Sequence, residues 1–220
     1  MNVYGVGPPR SGTTMLARCL SVVNETHHEC RDAFNADARR VNRRSWTRQP
    51  VTDAEVAAIV PHPNEVAFWL CFVSERLNGK VIHLWRPAEV WVRSAVAFGL
   101  MRPERRRIWD GDLPQISIPD GTQVEQLLWV YREMHSRVLE ERPDAYITTP
   151  DRIVWTDLFK WLGWGATSEQ VRRAQATQRV RPNRGNPWDG VVVVDDETRE
   201  VESALEARTP FTREQAVHRL

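Results

Sequence analysis

Lysine is nearly missing from this chain: it occurs only at Lys80 and Lys160, and every other cationic side chain besides histidine is arginine. Cysteine is also scarce. Cys19, Cys30 and Cys71 are odd in number and show no metal-ligand spacing, which excludes a disulfide framework or zinc finger and favours a reducing compartment. No apolar run is long enough to span a bilayer. The phosphate-sized loop described below begins too near Met1 for a signal peptide, so a cytoplasmic protein is expected. Repeats, low-complexity tracts and interdomain linkers are lacking. With 30 Lys and Arg against 29 Asp and Glu, no global charge draws the chain to nucleic acid or to an anionic membrane. What remains is an ordinary soluble composition, 41% hydrophobic and 27% charged over 220 residues, enough to bury the core of one α/β domain spanning residues 1–220.

The most informative stretch runs from Tyr4 to Leu20. Val3, Tyr4 and Val6 form a short apolar start. A Gly/Pro-rich turn follows, then a helical pattern with Met15, Leu16, Cys19 and Leu20 on one face. This predicts a strand, a loop of phosphate size and a helix N-terminus, with backbone amides from Ser11 to Thr14 open to an anion. The spacing Gly7-x4-Gly12-Thr13-Thr14 is close to a nucleotide P-loop, but Thr13 stands where that motif needs lysine. Arg10 brings the positive charge instead. A second block, Lys80 to Arg86, reads as a buried strand, followed by Pro87 and a helix carrying Val90, Arg93, Ser94 and Val96. Arginine offers a two-pronged donor to phosphate oxygens, and a serine two turns into the helix adds a hydroxyl.

Pro9-Arg-Ser-Gly-Thr-Thr14 resembles the 5′-phosphosulfate loop of sulfotransferases that use 3′-phosphoadenosine 5′-phosphosulfate (PAPS). In that family a strand ending in arginine, a nearby proline and a serine eight residues after the arginine bind the 3′-phosphate. Arg86, Pro87 and Ser94 match this spacing. The resemblance implies that Arg10, Ser11, Gly12, Thr13 and Thr14 hold the 5′-phosphosulfate, and that Arg86 and Ser94 hold the 3′-phosphate. Arg179 to Gly185 resembles the family's basic late loop, which would bring Arg181 and Arg184 over the same phosphate. Trp129, Tyr131, Asp157-Leu158 and Leu162-Gly163 follow the family outline more loosely. The likeness covers roughly residues 3 to 185 and leaves 186–220 unexplained. The expected architecture is a three-layer, P-loop-type α/β domain whose mostly parallel central sheet is flanked by helices.

The implied reaction moves a sulfuryl group to a hydroxyl or amine of a small-molecule or glycan acceptor, leaving 3′-phosphoadenosine 5′-phosphate (PAP), with no obligatory metal. The acceptor needs a general base. Glu29 stands nearest to where several family members carry a Glu, with His28 and His62 as rivals. Relatives often place a lysine in the loop or in a Lys-x-Pro step, which Ile59-Val60-Pro61-His62 lacks. The alternatives are a P-loop kinase or nucleotide hydrolase, a nucleotide-binding protein of the same fold without turnover, and a protein-interaction module. Arg102, Arg105, Arg106 and Arg107 form either a docking patch for an acidic acceptor or a solvated helix face, and Trp109 and Trp188 are candidate stacking groups.

Elsewhere the pattern predicts a helix start at Thr52-Asp53-Ala54-Glu55, with a strand over residues 55–60 as the alternative. It further predicts an apolar helix over 65–77, helices over 123–141, 157–162, 170–179 and 198–207, and a short strand over 146–149. A late strand or hairpin is expected over 188–194.

Overall fold

The computed structural model describes residues 1–29, 40, 41, 43–45, 47–60, 62–100, 118–179 and 188–210. Its strands are β1 (Val3–Val6), β2 (His27–His28), β3 (Asn64–Val66), β4 (Lys80–Leu84) and β5 (Tyr146–Thr148). The helices are α1 (Thr13–Leu20), α2 (Asp53–Ile59), α3 (Ala88–Phe98), α4 (Gln123–Glu141), α5 (Trp155–Leu162), α6 (Ser168–Arg179) and α7 (Asp196–Arg208). The strands form one all-parallel sheet in the order β2-β3-β1-β4-β5.

Strand alternation divides the apolar side chains between two cores. Val3, Ile82 and Leu84 pack with Leu16 and Leu20 of α1, Phe159 of α5 and Ala174 of α6. Tyr4, Val6 and Val81 face the other way, onto Trp69 and Phe72, Trp91 of α3, Tyr131 and Met134 of α4, and Leu205 of α7. Covered on both faces, the sheet is the middle of three layers, the architecture expected from the sequence. The chain leaves β1 toward the β2 edge and leaves β4 toward β5. The carboxyl ends of these two neighbours therefore bound a crevice at the topological switch point.

Helices with clear end signals lie where the pattern puts them. Thr52 and Glu55 form a reciprocal capping box at α2, which decides for helix over strand, and Thr122 with Glu125 does the same at α4.

Two expectations are corrected. The apolar run over 65–77 is not an α-helix: Asn64–Val66 pairs with β1 and β2, and a 3-10 segment kinked at Val73 follows from Phe68 to Arg76. Trp69 to Ser74 are all buried, so the run has no polar face to set a helical period. Residues 188–194 form no strand. Arg93 takes the carbonyls of Trp188 and Gly190, and Val192 and Val194 turn to the core while Val191 and Val193 face outward. The two-residue strand β2 carried no signal of its own beyond His27 and His28. Among the described residues, no helix is long and apolar enough to cross a membrane.

Candidate anion-binding site

Two glycines shape the loop that joins β1 to α1. A Cβ on Gly7 would lie 2.5 Å from the Leu84 carbonyl oxygen, so only glycine lets the chain leave β1 against the end of β4. Gly12, the residue preceding α1, adopts φ 104, and a Cβ there would also press on Pro150. Between them Arg10 holds φ 74, a conformation that long side chains seldom adopt. Such strain persists where surrounding contacts impose it.

Helix α3 supplies those contacts. Trp91 Nε1 donates to the Pro9 carbonyl at 2.7 Å, and Arg10 Nε donates to Ser94 Oγ at 3.3 Å. The Arg10 guanidinium lies 4.8 Å from the centre of the Phe98 ring. Residues 91, 94 and 98 are three and four apart, which places them on one helix face. The two motifs, 84 residues apart in the chain, thus meet through Arg10 and Ser94.

Helix α1 has no side-chain cap and no acid in its first turn. The Ser11 amide is not open, contrary to expectation, because the tight turn gives it to the Pro8 carbonyl at 3.0 Å. Among the described residues, the amides of Gly12, Thr13 and Thr14 meet no acceptor. Ser11 Oγ is fully buried and likewise without a hydrogen-bond partner there. Open donors at a helix start carry partial positive charge and suit an anion.

Arg86 follows β4 across the crevice, its carbonyl accepting from Tyr131 Oη at 2.8 Å. Burial and the charge of Arg10 push its guanidinium below the ordinary range, against the opposing pull of Asp151. Two cations held near enough to repel, beside open amides, form a cradle that a multiply charged anion would relieve.

The acid–base candidates fall into two groups. His28 Nε2 lies 3.3 Å from both Thr13 Oγ1 and Thr14 Oγ1, and 3.7 Å from Glu29 Oε1. Burial, reinforced by Arg18, lowers the His28 pKa below 6.5 and leaves the imidazole neutral at pH 7. Glu29 and His28 therefore stand together beside the loop. His62 instead stacks on His27, ring centres 3.6 Å apart, and His27 leaves β2 on the face opposite to His28. Arg181 and Arg184 lie outside the described residues, as do the Arg102 to Arg107 cluster and Trp109.

Sequence reasoning missed Trp91 and Phe98, although their spacing from Ser94 on one helix was a readable signal. It also missed Asp151 and the Tyr131 hydroxyl contact, which only the packing of β5 and α4 on the crevice reveals. A scan against protein-family models gives no match to this chain, and a search of the curated proteins finds none similar to it.

Proposed function

We propose that this chain binds PAPS across the β1–β4 crevice and transfers its sulfuryl group to a hydroxyl or amine acceptor. The observation that carries the reading is the meeting of Arg10 and Ser94, with Arg86 beside them. A ligand bearing phosphate at the 5′ and 3′ positions of an adenosine would use the open amides of α1 at one phosphate, and Arg86 together with the Ser94 hydroxyl at the other. In the reaction the acceptor oxygen or nitrogen attacks sulfur, the bridging S–O bond breaks, and PAP leaves with the electron pair. The acceptor's proton passes to a base. His28 is favoured in that role over Glu29 and His62, because it is neutral and reaches the hydroxyls of Thr13 and Thr14. Arg10, Ser11, Thr13 and Thr14 would stabilise charge growing on the leaving phosphate.

Calorimetry with PAP in metal-free buffer tests the reading. Wild type is expected to bind PAP at micromolar concentration and in preference to AMP. Arg10→Ala and Arg86→Ala are each expected to weaken binding by about a hundredfold, as for loss of charge-assisted hydrogen bonds. Equal affinity for AMP and PAP, or preference for ATP with Mg²⁺, would overturn it in favour of a kinase or hydrolase.

A further inference from the structure

Residues beyond 185 have no counterpart in the sequence motifs, yet α7 lies against the turn that presents Arg86. Helix α3 begins directly after that turn, and its N-cap residue is Pro87, which has no side chain able to cap. The missing acceptor comes from α7: Glu202 Oε1 takes the Ala88 amide at 2.5 Å. From α4, Tyr131 Oη donates to the Arg86 carbonyl at 2.8 Å. Burial, aided by Glu202, raises the Tyr131 pKa and keeps the phenol protonated as that donor. The backbone from Arg86 to Ala88 is thus held at two points within three residues.

Further contacts fix α7 in place. Glu206 pairs with both edges of its carboxylate to Arg152 Nη1, at 2.6 and 2.8 Å, in the turn after β5. Trp85 Nε1, one residue before Arg86, donates to Thr209 Oγ1 at 2.9 Å. Arg132 of α4 reaches Asp195 at the start of α7 at 2.6 Å. The helix therefore joins the turns after β4 and β5, on the side where Asp151 opposes the charge of Arg10 on Arg86.

We infer that Glu202 and Tyr131 are positioning residues that hold the turn carrying Arg86 so that its guanidinium meets the 3′-phosphate of the bound nucleotide. The inference rests on the donor-site reading above. A guanidinium on a loosely held turn must lose that freedom on binding, whereas one gripped at its own carbonyl and at the next helix start is already ordered. The clasp acts at the 3′-phosphate end only. Its loss should lower affinity for PAP and leave affinity for AMP, which lacks that phosphate, nearly unchanged.

The experiment compares PAP and AMP dissociation constants, by calorimetry, for wild type, Glu202→Ala, Glu202→Gln and Tyr131→Phe. The PAP-over-AMP preference is expected to fall about tenfold in Glu202→Ala and several-fold in Tyr131→Phe, and to recover largely in Glu202→Gln, whose amide oxygen still accepts from Ala88. A purely structural role would lower melting temperature and weaken both nucleotides alike. Tyr131→Phe keeps the ring and carries the same test if the alanine variant does not fold. An unchanged preference in the variants, against a wild type that has one, overturns the clasp. A wild type with no preference overturns the donor-site reading itself.

Discussion

The centre and the edge of the sheet are built differently. At the centre, the ends of β1 and β4 are held by glycine-limited close approach, by three residues of α3 and by the hydroxyl of Tyr131. At the edge, β2 is two residues long, pairs with β3, and presents His27 and His28 half-buried. On the function proposed above, the contrast would separate two tasks. A nucleotide anchor gains from groups already fixed in place, because ordering them on binding would cost affinity. A proton-transfer group must exchange partners, and among the described residues the His28 ring at the edge is held by polar contacts no shorter than 3.3 Å, to the hydroxyls of Thr13 and Thr14 and to Glu29.

The largest effect that would test this division is on turnover. Replacing His28 by alanine is expected to reduce kcat at least a hundredfold, within the range for loss of a general base. PAP affinity should change by less than about threefold, because Arg10, Arg86, Ser94 and the amides at the start of α1 are left in place. Glu29→Gln should have the smaller effect of the two. Because burial and Arg18 lower the His28 pKa from its ordinary value, the acid limb of the kcat/KM profile should lie below that of an unperturbed imidazole. Collapse of PAP affinity in His28→Ala would erase the distinction between anchor and edge. A kcat that falls more in Glu29→Gln would move the base by one residue.

A second histidine site sharpens the comparison from the centre. His83 of β4 and His135 of α4 are fully buried, and their rings share a hydrogen bond of 2.8 Å. Burial and the charge of Arg208 lower the His83 pKa to about 3, while burial and His83 lower that of His135. Both are neutral in the folded protein, whereas in the unfolded chain they take up protons below about pH 6.5. The stability they permit is therefore nearly complete above pH 7 and declines as pH falls below about 6.5, with a limiting slope of about 1.4 kcal/mol per imidazole per pH unit while the folded imidazole stays neutral, for His83 down to about pH 3. Urea unfolding should show wild type losing about 2 to 3 kcal/mol between pH 7 and pH 5.5 from this pair. A His83→Leu, His135→Leu double variant should lose far less. An equal loss in both proteins would assign the acid sensitivity to other groups.

How much of this was legible in the sequence follows the same division. The strand, turn and helix start that carry Arg10, Arg86 and Ser94 could be read because each leaves local signals, and so could the capping boxes of α2 and α4. The apolar run over 65–77 misled because a segment buried all round has no face to betray its period, and pairing with β1 took its first residues into the sheet. Strand β2 is too short for alternation to register. Glu202 was invisible for another reason. Its cap on α3 spans 114 residues, and a lone glutamate on a charged helix face looks the same whether it caps a distant amide or meets water.

The smallest expected effect concerns how Arg10 is held. Its guanidinium lies over Phe98, a ring 43% exposed, and such an exposed cation–π contact is worth about 0.5 to 1 kcal/mol. Phe98→Leu retains an apolar side chain on that face of α3 and removes the ring's negative face, while the Ser94 bond to Arg10 remains. PAP affinity should fall about threefold, with Phe98→Tyr close to wild type. Because Arg10 sits at a left-handed φ, release of its side chain should show in binding enthalpy more than in melting temperature. If Phe98→Leu binds PAP as tightly as wild type, the remaining contacts of Arg10 hold it without the ring, and the centre of the sheet carries one contact more than the ligand requires.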